Sequence, residues 1–68
     1  MNKHQSKILA MIYENPREGA SLHLICKKLG LSGTAASVEI QKLLELNAIK
    51  EYPGDLFKPS VGKLKMMC

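Results

Sequence analysis

The chain has 68 residues, of which 46% are hydrophobic, with a formal net charge of +4 and a pI near 9.3. That is enough for one domain with a modest core, too apolar for a disordered tail, and without any apolar run of membrane-spanning or secretory length. The basic balance favours a polyanionic partner, and two cysteines, Cys26 and Cys68, make no disulfide framework, so a reduced, cytoplasmic location is expected.

There is no Trp, and the aromatics are Tyr13, Tyr52 and Phe57. The core must therefore be aliphatic. The charge is uneven along the chain. Residues 1–31 carry five bases and two acids, whereas residues 32–68 carry five bases and four acids.

Residues 3–14 are predicted helical, because Ile8, Leu9 and Ile12 recur at helical spacing. Asn2 and Gln5 fit the two halves of a capping box. Asn15 before Pro16 ends the helix, in an expected left-handed cap. Residues 16–20 read as a turn-forming connector. Ser21 then caps a short helix over 22–29, with Leu22, Ile25 and Leu29 on one face, Cys26 in a small-residue slot, and Gly30 as a left-handed stop. Leu31 should point inward from the following turn.

Ser32 caps a third helix, from about 33 to 46. Ala36, Ile40, Leu43 and Leu44 form its core stripe, Leu46 closes it, and Asn47 supplies a left-handed cap. Residues 48–52 suggest a short strand, and Pro53-Gly54-Asp55 is turn chemistry. Pro59 argues against a central strand through residues 56–61. The alternation of Lys63, Leu64, Lys65 and Met66 suggests instead a return strand there, so residues 48–67 are expected to form a hairpin with a long tip. The apolar end Met66-Met67-Cys68 can complete the core or meet a second copy.

Three helices, a tight turn between the second and third, and a terminal hairpin define an α+β winged helix-turn-helix, expected here as one domain over 1–68. Residues 21–49, SLHLICKKLGLSGTAASVEIQKLLELNAI, resemble that DNA-binding superfamily, in particular small bacterial MarR-like transcriptional regulators. The resemblance rests on the capped second helix, the Leu29-Gly30-Leu31-Ser32 turn and the third helix with Ile40, Leu43 and Leu46 inward. The slot after that helix, usually Gly in such proteins, is Asn47.

The resemblance implies that the third helix enters the major groove of double-stranded DNA. Thr34, Ala35, Ser37, Val38 and Gln41 would then face base edges. Gln41 suits adenine, Thr34 and Ser37 suit bases or phosphates, and Ala35 and Val38 suit thymine methyls. Ser21, Lys27, Lys28, Ser32 and Lys42 would hold phosphates, with Lys58 and Lys63 adding contacts from the wing. The helix carries no Arg, the common guanine reader; Arg17 is the chain's one Arg. So few charged contacts imply salt-sensitive binding that a homodimer or a partner regulatory protein would strengthen.

Against these stand plainer readings. The apolar stripes are core, Tyr52 suits hairpin packing, and Lys27-Lys28 equally suit a solvated helix face. His23, Cys26 and Cys68 are too few and scattered for zinc, so no metal is expected. No nucleophile–base pair, paired carboxylates or phosphate-cradling loop is present, so neither an enzyme nor a cofactor is expected. The core is too small for a small-molecule sensor. The alternative function is a winged-helix protein-interaction module that uses Ala35, Val38 and Phe57 as contacts. An RNA-binding role is disfavoured by the shortage of aromatics for stacking.

Overall fold

The computed structural model describes residues 2–60. The first helix, α1 (Lys3–Glu14), starts where the sequence expects. The Asn2 side chain accepts from Gln5 N–H at 2.8 Å, and the Gln5 carboxamide oxygen accepts in return from Asn2 N–H at 3.3 Å, closing the capping box. Ile8 and Ile12, one turn apart, are fully buried, with Leu9 packed against the same core.

The exit from α1 departs from expectation. Asn15 takes φ −126°, ψ 78°, not the left-handed region. Pro16 keeps its predecessor out of helical geometry, and Asn15 achieves this at a negative φ. The positive φ falls instead on Gly19, at +69°, whose N–H donates to the Asn15 carbonyl.

The stretch expected to be plain connector ends in a short strand, β1 (Ala20–Ser21). Ser21 is then the N-cap of α2 (Leu22–Leu29), accepting from Leu24 N–H at 3.1 Å. Gly30, at φ 67°, ψ 32°, stops α2, and Leu31 N–H returns to the Cys26 carbonyl at 3.1 Å. Leu31 packs on the core, as expected. Cys26 is only half-buried.

Ser32 caps α3 (Gly33–Glu45) by accepting from Ala35 N–H at 3.1 Å. Ala36, Ile40 and Leu43 are its buried face, and Leu44 is half-buried beside them. Leu46, expected inward, is 63% exposed. It is the C-cap residue, and the chain turns away there rather than continuing the helical stripe. Asn47 adopts φ 58°, as expected. Its N–H reaches the Leu44 carbonyl at 3.0 Å while Ala48 N–H reaches that of Leu43 at 3.1 Å, a Schellman closure that satisfies the helix's free carbonyls.

The sheet corrects the sequence reading most. β2 (Ile49–Tyr52) is close to the expected strand, but the return strand is β3 (Leu56–Pro59), directly after a three-residue turn. The expected strand over Lys63–Met66 lies outside the described residues. β3 is also the central strand of an antiparallel sheet ordered β1-β3-β2, so Pro59 does not exclude one. β1 pairs only with Leu56 and Phe57, whereas Pro59 is the last residue of β3 and faces Ile49 alone. A missing N–H there leaves nothing on the β1 side unpaired.

The result is α+β: three helices and a three-stranded antiparallel sheet, with the core where Ile8, Ile12, Ile25, Leu43, Ile49 and Phe57 meet. This order is compatible with a helix-turn-helix followed by a wing. Among the described residues, no helix is long and apolar enough to cross a membrane.

Candidate nucleic-acid interface

The five residues assigned to base contact, Thr34, Ala35, Ser37, Val38 and Gln41, are all exposed on α3, as is Lys42. With a core stripe of Ala36, Ile40 and Leu43 and about 100° of rotation per residue, they divide by side. Thr34 and Val38 point away from the core, with Val38 52% exposed. Ala35 and Lys42 lie on the flank that Glu39 shares. Ser37 and Gln41 lie on the opposite flank, toward the hairpin. No positive charge stands among the base-facing positions, and Glu45 closes the outward side at its C-terminal end.

Of the expected phosphate contacts, Ser21 and Ser32 already use an oxygen lone pair to cap α2 and α3. Each hydroxyl still has its proton to donate. Lys27 and Lys28 are exposed in the last turn of α2, where they also complement the negative end of the helix dipole. Lys58 is half-buried, and its Nζ sits 5.1 Å from the centre of the Tyr52 ring, a cation–π contact across the hairpin. Tyr52 is thus a packing partner, as read from the sequence. Lys58 and Lys50 face each other in register, so the Tyr52 contact draws one of two like charges aside. Lys63 lies outside the described residues.

Two features escaped the sequence reading. First, Glu39 of α3 accepts from Asn2 Nδ2 at 3.1 Å and Gln5 Nε2 at 2.9 Å. Gln5 is only 7% exposed, so the capping box of α1 doubles as a polar clamp onto α3. These bonds hold the Glu39 carboxyl below its usual range, with smaller help from Lys42 and His4. The capping box was visible in sequence, but its partner 34 residues away was not.

Second, Ser37 and Gln41 do not front open solvent alone. They form one wall of a groove of about 100 Å³ whose other wall carries Glu51 and Asp55, over an apolar floor of Leu22, Ile40, Leu44 and Phe57. Strand alternation explains Glu51. It lies two residues from buried Ile49 and opposite buried Phe57, so it projects toward α3 at the open end of the sheet. That period-two placement was the available sequence signal.

No protein-family model, curated protein or solved structure matches this chain.

Proposed function

We propose that the chain is a winged helix-turn-helix protein that binds double-stranded DNA as a small cytoplasmic transcriptional regulator, with α3 in the major groove. The observation that supports this most is the division of α3. It buries a stripe of three residues and leaves Thr34, Ala35, Val38, Gln41 and Lys42 exposed, on a helix fixed by a tight Leu29–Ser32 turn to one bearing Lys27 and Lys28. An outward helix face of this kind fits the major groove, where amides and hydroxyls read base edges and methyl-bearing side chains meet thymine. Lysines on the adjoining helix suit phosphates. Binding needs neither cofactor nor metal, and a second copy or a partner regulator adds affinity.

The test is a salt-series titration of duplex DNA. The observed association constant should fall linearly in log salt. Lys27→Ala with Lys28→Ala should weaken all sequences alike and reduce the salt slope by about 2, because each lysine neutralises one phosphate. No binding at low salt, or an unchanged slope in the double variant, overturns the proposal.

A protein-docking role is the second reading, favoured by Val38 at 52% and Leu46 at 63% exposure and by the carboxylates beside Ser37 and Gln41. In that case the lysine variants leave partner binding intact and Val38→Asp abolishes it.

A further inference from the structure

We infer that the groove between α3 and the hairpin seats an arginine side chain presented by a partner protein. Its lining divides by chemistry. Leu44 and Phe57 belong to an apolar floor, while Glu51 and Asp55 supply the only charges, and no cation lines it among the described residues. On a chain of net charge +4 with six acidic residues, two of the acids, Glu51 and Asp55, line one largely apolar slot. Asp55 is held there by its backbone, whose carbonyl accepts from Leu22 N–H at 2.9 Å at the start of α2. The carboxylate therefore hangs from a fixed point.

A volume of about 100 Å³ suits one side chain; small-molecule pockets run to roughly 300–1,000 Å³. Phosphate is repelled by the same carboxylates, which sets the groove apart from a nucleic-acid surface. An arginine fits both halves of the lining. Its aliphatic stem covers the floor, and its weakly hydrated planar guanidinium offers five donors to two carboxylates and the Gln41 amide oxygen. A lysine presents a compact, strongly hydrated charge and fits the apolar floor less well. The groove occupies only the hairpin-side flank of α3, leaving Thr34, Ala35, Val38 and Lys42 outside it. Ser37 and Gln41 belong to both the groove and the proposed base-facing set, but arginine binding is tested without DNA, so its failure and that of the DNA reading are distinguishable.

The test is a titration of the full chain with the peptide acetyl-Gly-Arg-Gly-amide, followed by backbone amide shifts, with the isosteric citrulline peptide and the lysine peptide as controls. Saturable shifts confined to residues 37–44 and 51–57 are expected, with weaker binding of lysine and none of citrulline. E51Q/D55N should weaken the arginine peptide by roughly tenfold while leaving the urea midpoint unchanged, since Asn tolerates the positive φ of 53° at position 55. If the double variant is destabilised, E51Q alone carries the test, because Glu51 lies in ordinary strand geometry. No shifts, equal binding of citrulline, or shifts spread over all the acidic residues would overturn the inference.

Discussion

Replacing Gly19 with alanine should damage this domain more than the same change at Gly30, although the two backbones look alike. Both have positive φ, +69° and +67°. An L-residue in that region costs roughly 1–2 kcal/mol, so Gly30→Ala, with nothing within 4 Å of the added carbon, should lose about that much and no more. At Gly19 the added carbon would stand 2.0 Å from the Phe57 carbonyl oxygen and 3.0 Å from its carbonyl carbon. Lys58 Cγ, at 2.8 Å, belongs to a flexible side chain and can move. The Phe57 carbonyl is backbone of the central strand and cannot move without separating β1 from β3.

The pairings at risk are Ala20 with Phe57 and Ser21 with Leu56, and both Ala20 and Phe57 are buried. Losing one or two hydrogen bonds at about 1 kcal/mol each, on top of the conformational cost of roughly 1–2 kcal/mol, gives about 2–4 kcal/mol for Gly19→Ala. A 68-residue domain has roughly 3–10 kcal/mol in all, so much of its stability is at stake. Urea unfolding followed by far-ultraviolet circular dichroism, analysed with a common m value, measures both variants. A Gly19→Ala loss no greater than that of Gly30→Ala would refute the claim that β1 seals against β3 through this glycine.

Three further outcomes are expected. Leu43→Ala, which empties a fully buried site, should cost about 2–5 kcal/mol, read in the same assay. Asn47→Gly should raise the urea midpoint by up to about 1 kcal/mol equivalent, because φ 58° suits glycine better at a Schellman cap. Stability should fall as the solution is acidified below the ordinary carboxylate range. The Glu39 carboxyl has a folded pKa below its unfolded one, so its contribution is complete above the unfolded value and disappears as pH drops through the folded value. Urea midpoints from neutral to acid pH should show this decline in the parent chain and a shallower one in Glu39→Gln; parallel curves would remove Glu39 from the account.

The helices were legible because their signals are local. Asn2 and Gln5, Ser21, Ser32, Gly30 and Asn47 act on backbone groups within a few residues, and the stripes Ile8/Ile12 and Ala36/Ile40/Leu43 repeat at the helical period, so sequence alone fixes where the helices begin, stop and face. The stripe misled only at Leu46, where the same cap that ends α3 carries the next side chain out to solvent. Strand pairing is not local. β1 spans two residues, too few for any periodic signal, and exists because Gly19 lets the chain approach the Phe57 carbonyl. Pro59 appeared forbidden in a central strand because its position at the strand's end, beyond the reach of β1, is a tertiary fact. The sites follow the same division. The exposed residues of α3 were readable by subtracting its core stripe. The clamp of Asn2 and Gln5 on Glu39 and the carboxylate wall of Glu51 and Asp55 join residues far apart in the chain, and only packing brings them together.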